Sequence, residues 1–294
     1  MNTNELFKRT MGILRPETAR RETFLIVGVG SGGARVAEEV VRFGVGRIIL
    51  VDRPDERLEE HNIIRHILGY SSLGRLKTEA LRDRLLDINP SCRVDTLSID
   101  VTASEDALEE LVQQSTQLHL CTDNEASKHV INALAVRASV PLIFAGVFDG
   151  GVGGEVGRCL PGDACYACVA SFLNRSGRFD ESTPATFDYS NPSQEQYSST
   201  AALNIDIAQI TLIQARVALL TMRRDAEPEQ DLGGNYVLFG NRPVEGLFPR
   251  MLFSEVWNIP KDPSCLICGG GSMTDAEADQ QAARLLQAAE CAGE

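Results

Sequence analysis

Two Cys-x-x-Cys pairs, a hundred residues apart, constrain this chain most, because they can tie its middle to its C-terminal part. The first pair is Cys165 and Cys168 in ACYACV, and the second is Cys265 and Cys268 in SCLICGG. Each pair follows a turn-forming run, in which the backbone can curl so that both sulfur atoms face one ion. Two matched pairs are typical of a tetrahedral zinc site. A redox or disulfide role is the alternative, but a chain without a secretory signal is poor ground for disulfides.

Four sulfur ligands leave a zinc ion no open coordination position for water or substrate. We therefore predict a structural Zn²⁺ site, of the kind that contributes on the order of 10 kcal/mol to folding. Catalysis is then left to other residues.

The composition restricts the class of protein and its partners. With 294 residues, 43% of them hydrophobic, the chain can form one large α/β domain or two small ones. The N-terminal sequence MNTNELFKRT lacks the apolar segment of a signal peptide, and no apolar run reaches the length of about 18 residues that spans a bilayer. We therefore expect a cytoplasmic protein without membrane contact. A net charge of −13 repels phosphate backbones, so we expect protein or small-molecule partners and no nucleic acid.

The pattern of apolar residues predicts a Rossmann-like, doubly wound α/β fold. The segment FLIVGVGSGGARVAEEVVRFGVGRIILVD is typical of a strand, a glycine turn, an amphipathic helix and a second strand. Fully apolar strands indicate a mostly parallel sheet that is covered on both faces. The predicted strands are 24–27, 47–51, 93–98, 118–121 and 141–145, and the predicted helices are 34–43, 77–86, 104–114 and 126–139.

The second half of the chain has a different texture. From residue 148 it is glycine-rich and then polar, which predicts a crossover loop before a helix at 202–223. Short strands at 236–239 and 247–256 are predicted to extend the sheet in antiparallel fashion. We interpret 1–294 as a single domain, with a nucleotide-binding half at 24–147, a part with the crossover loop, zinc knuckles and last strands at 148–270, and a tail at 271–294.

The glycine turn predicts a phosphate-binding site. Gly28, Gly30 and Gly33 form G-x-G-x-x-G between a strand and a helix, where backbone amides and the helix N-terminus can hold phosphates. Asp52 ends the next strand, 24 residues after Gly28, and can accept hydrogen bonds from ribose hydroxyls. These residues fit NAD, FAD or ATP. The alternative is that the glycines only allow the helix to pack closely on the strand.

The segment after Asp52 favours ATP, because HNIIRHILGYSSLGRLKTEA supplies Asn62, Arg65 and Lys77. Nucleotidyl transfer builds negative charge on the α-phosphate and on pyrophosphate, and fixed cations or Mg²⁺ stabilise it; hydride transfer needs no such cations. Asp123 follows the strand LHLC at the edge where parallel strands open onto a crevice, so it is the candidate Mg²⁺ ligand. The alternative is solvated cations on a helix face and an aspartate that caps a helix.

At this point the chain resembles the ThiF/MoeB/HesA family of E1-like enzymes, which activate ubiquitin-like and β-grasp sulfur-carrier proteins. The resemblance covers nearly the whole length and implies adenylation of a protein's C-terminal glycine, with Mg·ATP consumed and pyrophosphate released. The motifs that carry it are the strand, glycine loop, helix, strand and Asp opening, Asn62-x-x-Arg65, Gly74-Arg75-x-Lys77, Ile88-Asn89-Pro90, Cys121-Thr122-Asp123-Asn124 and the two cysteine knuckles.

The resemblance also implies roles for single residues. Asp52 resembles the ribose ligand, and Asn62, Arg65 and Lys77 resemble the phosphate-binding set. Asp123 resembles the Mg²⁺-linked aspartate, and Asn124 beside it belongs with the nucleotide-binding residues. Members are usually homodimers in which an N-terminal arginine reaches into the neighbour's site. Arg9 is the candidate here, although it lies closer to the glycine loop in sequence than usual and its flanking pattern differs.

The chain departs from thioester-forming members, which carry a cysteine in or just after the crossover loop. That stretch reads QEQYSSTAALNIDIAQ here. Either the enzyme stops at the adenylate, or Ser198, Ser199 or Thr200 accepts the acyl group. A serine needs an adjacent base to become a good nucleophile, and no histidine or lysine lies near these hydroxyls in sequence, so a loop or N-cap role is the alternative. Cys92 and Cys121 are predicted to be buried and inert.

Four functions follow, in order of preference. The first is an adenylyltransferase for a ubiquitin-like or β-grasp protein that ends in glycine, with an E2-like or sulfurtransferase protein as a further partner. The second is a peptide-adenylating enzyme of peptide-antibiotic maturation, because fold does not fix the substrate. The third is a catalytically inactive E1-like scaffold, which Arg65, Lys77 and Asp123 argue against. The fourth, an NAD-dependent oxidoreductase, leaves those cations and the cysteine pairs unexplained.

Overall fold

A computed structural model of the chain describes residues 3–173 and 201–269. The strands are β1 (Thr23–Val27), β2 (Arg47–Asp52), β3 (Arg93–Ser98), β4 (Gln117–Leu120), β5 (Leu142–Val147), β6 (Gly153–Cys159), β7 (Tyr236–Gly240) and β8 (Phe253–Trp257). They form one eight-stranded sheet in the order β3-β2-β1-β4-β5-β6-β7-β8.

The first five strands are parallel, and the pairs β5–β6, β6–β7 and β7–β8 are antiparallel. The predicted mostly parallel sheet with an antiparallel C-terminal extension is therefore confirmed. Strands from both predicted halves of the chain belong to this sheet.

Helices cover both faces of the sheet. Their bounds are α1 (Thr3–Leu6), α2 (Pro16–Ala19), α3 (Ser31–Phe43), α4 (Glu60–Ile63), α5 (Lys77–Ile88), α6 (Glu105–Gln113), α7 (Glu125–Ala138), α8 (Tyr166–Phe172) and α9 (Asn204–Arg223), with short 3₁₀ turns at Tyr70–Ser72, Asp149–Gly151 and Pro228–Gln230.

Two buried clusters explain why the strands are apolar on both sides. Leu25, on one face of β1, belongs to a cluster with residues of α6, α7 and α8. Phe24, on the other face, belongs to a cluster with residues of α3, α5 and α9. Because consecutive strand residues point to opposite faces, two separate cores form on one sheet, as in a doubly wound fold.

Helix α9 is long and apolar enough, by length and composition alone, to cross a membrane. In this structure half of its apolar window is buried, and it packs against α3 and β5. Its apolar composition is therefore accounted for by the core.

Strand β6 lies in the glycine-rich stretch for which the sequence predicts a crossover loop, so that prediction is wrong for Gly153–Cys159. A Cβ at Gly157 would lie 2.1 Å from the Phe144 ring, and a Cβ at Gly153 would lie 2.2 Å from the carbonyl oxygen of Phe239. These glycines make room for neighbouring groups, which local patterning does not reveal. The predicted strand at 247–256 begins only at Phe253, because Leu252 has a φ of 54° and residues before it form turns.

Candidate active site

The predicted nucleotide residues follow three adjacent parallel strands. The glycine loop follows β1, Asp52 ends β2, and Asp123 comes three residues after β4, and β1 pairs with both β2 and β4. The chain moves outward from β1 in one direction through β2 and β3, and in the other through β4 and β5. This is a topological switch point, where doubly wound folds bind ligands at the carboxyl ends of strands.

The three glycines of the loop have different roles. Gly28 has a φ of 92°, and a Cβ there would lie 2.6 Å from the carbonyl oxygen of Cys121. A Cβ at Gly33 would lie 1.9 Å from the carbonyl oxygen of Gly28. Gly30 is the N-cap of α3, with an extended backbone, and a Cβ there would meet nothing within 4 Å. Packing alone therefore explains Gly28 and Gly33, whereas Gly30 faces open space at the positive end of a helix.

This difference predicts opposite outcomes for two alanine variants. Gly33→Ala is expected to destabilise the fold by about 3 kcal/mol or more, because its methyl group collides with backbone. Gly30→Ala is expected to cost less than about 1 kcal/mol of stability. It should nevertheless weaken Mg·ATP binding at least about tenfold, which corresponds to 1.4 kcal/mol, because the methyl group occupies space that a phosphate would enter. Thermal unfolding and calorimetric titration measure the two effects.

Gly12→Ala is the matched control, because a Cβ at Gly12 also meets nothing within 4 Å. Although Gly12 is close to Arg9 in sequence, its neighbour Leu14 packs against Phe43 at the end of α3 that is remote from the glycine loop. It should leave both stability and Mg·ATP affinity unchanged. Wild-type affinity in Gly30→Ala would show that this glycine has no part in phosphate binding.

Asp52 is anchored by the backbone on both of its oxygens. Its Oδ2 accepts from the N–H of Val29 at 2.9 Å, and its Oδ1 accepts from the N–H of Arg53 at 2.9 Å. Burial raises the pKa of Asp52, and the two N–H donors oppose that rise. Each carboxylate oxygen has a second lone pair, so the group can still accept hydrogen bonds from a ligand.

Lys77 is placed beside Asp52 by a local pairing of two chain segments. Its backbone N–H donates to the carbonyl of Glu56 at 3.0 Å, and a β-bridge joins Arg57 to Leu76. The Lys77 side chain is only 11% exposed, and its ammonium forms an ion pair with the Glu56 carboxylate, which also pairs with Arg53. Although burial opposes ionisation, these two cations hold the pKa of Glu56 below its usual value.

Arg65 differs from Lys77 in having no ion pair among the described residues. Its Nε atom is buried and also lacks a hydrogen-bond partner there. Asn62, on the preceding turn, accepts the N–H of Glu59 on its Oδ1 at 3.0 Å and so closes a capping box at α4. The structure therefore gives Asn62 a local structural role, and within residues 3–173 and 201–269 no carboxylate pairs with the Arg65 guanidinium.

Asp123 and Asn124 are both exposed at the start of α7. Asn124 is the N-cap, and its Oδ1 accepts from the N–H of Ser127 at 3.0 Å. The helix is thus capped by Asn124 and not by Asp123, so capping does not account for the aspartate. Asp123 has no ion pair among the described residues, and it follows the carboxyl end of the central strand β4.

Arg9 lies at the other end of α3 from the glycine loop. Phe7, two residues earlier, contacts the C-cap of α3, since a Cβ at Gly44 would lie 2.9 Å from its ring. Thirteen helical residues span about 20 Å. Any contribution of Arg9 to nucleotide chemistry therefore requires a second copy of the chain. The candidate acyl acceptors Ser198, Ser199 and Thr200 lie outside the described residues.

The four predicted metal ligands come together. The sulfur atoms of Cys165, Cys168, Cys265 and Cys268 all lie within 4.8 Å of one another. Three of the separations are 3.9 Å (Cys165–Cys168), 3.7 Å (Cys165–Cys265) and 3.3 Å (Cys168–Cys268). These are far from a disulfide length of about 2.0 Å. They are near the edge of about 3.8 Å that a tetrahedron with Zn–S bonds of about 2.3 Å requires.

Hydrogen bonds from neighbouring residues support the cysteine cluster. The side-chain amide of Asn132 on α7 donates to the sulfur of Cys165 at 3.5 Å and accepts the N–H of Tyr166 at 2.9 Å. The hydroxyl of Tyr166 donates to the carboxylate of Glu125 at 2.8 Å, in the first turn of α7. The cluster is therefore connected to the helix that begins beside Asp123, and such supporting donors are typical of metal ligands.

The other described cysteines are unsuited to nucleophilic chemistry. Burial raises the pKa of Cys92 and of Cys121 to about 12, and it also raises the pKa of Cys159 well above its ordinary value. A thiol in this state is protonated at neutral pH and is a poor nucleophile.

Comparison with known proteins assigns this chain to a family. The profile of the ThiF family matches residues 5–267. The chain belongs to the ThiF family. Ubiquitin-like modifier-activating enzyme 5 of Caenorhabditis elegans is 30% identical over 184 residues, covering 59% of this chain and 43% of that protein. The same enzyme of Oryza sativa subsp. japonica is 30% identical over 186 residues, covering 59% and 44%. The chain thus spans under half the length of these E1-like relatives of the ThiF family.

Solved structures share the ThiF-family fold. Escherichia coli MccB with ATP superposes with a TM-score of 0.63 at 20% identity, over 86% of this chain and 68% of that one. PaaA superposes with a TM-score of 0.67 at 18% identity, over 87% and 83%. At these identities the likeness concerns the fold.

Two residues of the candidate site escaped sequence reasoning. Glu56 pairs with Lys77 across 21 positions, and the buried His66 contacts the glycine loop. The acidic run DRPDE after Asp52 offers a weak signal for Glu56, because a carboxylate close in sequence to Asp52 can pair with a cation that enters the same site. His66 gives no signal, because a lone histidine after Arg65 does not reveal its partner.

Proposed function

We propose that this chain catalyses ATP-dependent adenylation of the C-terminal glycine of a ubiquitin-like or β-grasp sulfur-carrier protein, with release of pyrophosphate. A cytoplasmic location fits four thiols held as a metal-ligand set, because reduced thiols persist in that compartment. Membership of the ThiF family and the likeness to E1-like relatives support the reaction class.

The observation that carries the proposal is the open N-terminus of α3 at Gly30 beside Asp52, together with an Arg65 guanidinium that lacks a carboxylate partner among the described residues. A helix N-terminus and a free guanidinium attract anions, and the carboxylate can accept sugar hydroxyls. Hydride transfer would leave the Arg65 guanidinium, which has no ion pair among the described residues, without a role, whereas phosphoryl charge gives it a partner.

The reaction forms one bond and breaks one bond at the α-phosphorus. An oxygen of the partner's C-terminal carboxylate attacks the α-phosphorus, and the bond from that phosphorus to the bridging oxygen of the β-phosphate breaks. The products are an acyl adenylate and pyrophosphate. Asp52 would hold the ribose, the amides at Gly30 would hold phosphate, and Arg65 and Lys77 would stabilise charge on the leaving pyrophosphate. Asp123 would hold Mg²⁺, which screens the triphosphate.

We further propose that the acyl group leaves this enzyme as the adenylate. The sequence has no cysteine between Cys168 and Cys265, and the described thiols outside the metal cluster have raised pKa values, so they are protonated at neutral pH. An oxyester on Ser198 or Ser199 is the competing route.

Intact mass spectrometry tests both statements. The chain is incubated with Mg·ATP and a β-grasp protein that ends in glycine and is encoded in the same genome, with and without hydroxylamine, while pyrophosphate is measured. We expect a partner that gains the mass of AMP, pyrophosphate, and no adduct on the enzyme.

Each other outcome has its own meaning. An enzyme that carries the partner's mass contradicts release as the adenylate, and slow hydroxylamine cleavage would assign the bond to a serine. A short peptide offered in parallel covers the peptide-adenylating alternative, since MccB has been solved with N-formylated MccA. Adenylation of the peptide alone would replace the proposed substrate, and no pyrophosphate with any acceptor would overturn the reaction.

A further inference from the structure

His66 joins the glycine loop to the segment that carries Arg65. The histidine is 5% exposed, and its Nε2 lies 3.0 Å from the carbonyl oxygen of Val29. The N–H of Leu68 donates to its Nδ1 at 3.1 Å. Because Nδ1 accepts a hydrogen bond, the proton must be on Nε2, which therefore donates to Val29.

The Val29 peptide groups are thus held from two directions. Asp52 accepts the Val29 N–H at 2.9 Å, and His66 donates to the Val29 carbonyl. Val29 lies between Gly28 and Gly30, and glycines give the backbone its greatest freedom. The carbonyl that His66 holds belongs to the peptide plane that supplies the N–H of Gly30, the position that faces open space.

The same side chain is fixed relative to Arg65. The backbone N–H groups of Arg65 and His66 both donate to the carbonyl of Asn62, at 2.9 and 2.8 Å. A shift of His66 would therefore move the turn that presents the Arg65 guanidinium. Burial lowers the pKa of His66 to about 4, and the nearby cations Lys77, Arg35 and Arg84 act in the same direction, so the ring stays neutral.

We propose that His66 is a positioning residue, which fixes the phosphate-binding amides of the glycine loop in place relative to the Arg65 guanidinium. The inference rests on the proposed nucleotide binding. It assigns His66 no contact with the reacting atoms. Its role is to remove backbone freedom before ATP arrives, which lowers the entropic cost of binding.

Two amide variants separate the two hydrogen bonds. His66→Asn places its amide at the position of Nδ1, so it can still accept from Leu68 but is too short to reach the carbonyl of Val29. His66→Gln is one methylene longer and can donate to Val29. His119→Asn is the matched control, because His119 is a fully buried histidine whose two ring nitrogens have no partner among the described residues.

The full chain is titrated with Mg·ATP by calorimetry, and hydrogen exchange of peptides that cover residues 28–35 is followed by mass spectrometry. We expect His66→Asn to bind Mg·ATP about tenfold more weakly, the effect of losing about one net hydrogen bond, and to exchange faster in the glycine loop. His66→Gln should restore affinity to within about threefold, and His119→Asn should bind as wild type does.

Wild-type affinity in His66→Asn would overturn the inference, and so would an equal loss in His119→Asn, which would indicate a general effect of core disruption. If His66→Asn does not fold, His66→Leu, which also lacks a donor, replaces it in the same comparison with His66→Gln. Failure of the wild-type chain to bind Mg·ATP is a different result, which contradicts the proposed function.

Discussion

Asp123→Asn is expected to lower the rate of pyrophosphate formation at least about a hundredfold, because a Mg²⁺ ion supplies several kcal/mol of charge stabilisation in such a reaction. Asparagine keeps the shape of aspartate and removes its charge. Asp123 is exposed and Asn124 supplies the cap of α7, so thermal stability should not change. Pyrophosphate release in the presence of an accepted acyl substrate measures the rate, and its dependence on Mg²⁺ concentration tests the role of the metal.

Asp225→Asn is the matched control, because the side chain of Asp225 is 90% exposed and the residue follows the C-terminal end of α9. The substitution removes the same charge from a residue that is not part of the predicted site, so the rate of this variant should equal that of the wild type. A variant of Asp123 with the wild-type rate and the wild-type Mg²⁺ dependence would refute its role as a metal ligand.

Cys165→Ser is expected to abolish stoichiometric zinc binding and to destabilise the protein by roughly 5 kcal/mol or more. A serine hydroxyl does not ionise near neutral pH and is a poor ligand for Zn²⁺. The wild type should hold about one Zn²⁺ ion per chain, and the variant should unfold roughly 10 °C lower or more. Elemental analysis and thermal unfolding, each with and without a chelator, measure these quantities.

Cys92→Ser is the control, because Cys92 is also buried but lies outside the cluster. It should keep the zinc content of the wild type and lose only the stability expected of one buried thiol. The zinc assignment is refuted if the wild-type chain contains no metal and its unfolding temperature is the same with and without the chelator.

The parallel part of the fold could be predicted from sequence because its signals are local. Each apolar strand from β1 to β5 is followed or preceded by an amphipathic helix, and predicted bounds such as 93–98 and 77–86 agree with β3 and α5 to within two residues. Strand β6 could not be predicted in this way, because a glycine is needed at position 157 only to leave room for the ring of Phe144 on the adjacent strand β5. That contact exists only after the sheet has formed.

The candidate site shows the same division. The glycines directly follow β1, and Asp52 ends β2, so their spacing in the sequence identifies them. The two partners that hold this site, Glu56 for Lys77 and His66 for Val29, depend on how two loops fold back across the end of the sheet. Their residue types are common on protein surfaces, so only the folded chain reveals what they contact.

The long separation of the two cysteine pairs also bears on the order of folding. Between Cys168 and Cys265 lie α9, β7 and β8, so the second pair reaches the first only after the chain has crossed the sheet and returned. Closing a loop of this length in an unfolded chain costs roughly 4 kcal/mol in entropy. This cost weakens the binding of a metal ion by all four thiols until those elements have docked. A nascent chain that ends before Cys265 offers only two of the four thiols of the cluster. On the predicted zinc site, acquisition of the metal would mark completion of the C-terminal half, and the metal content of a preparation would report how many of its molecules have finished folding.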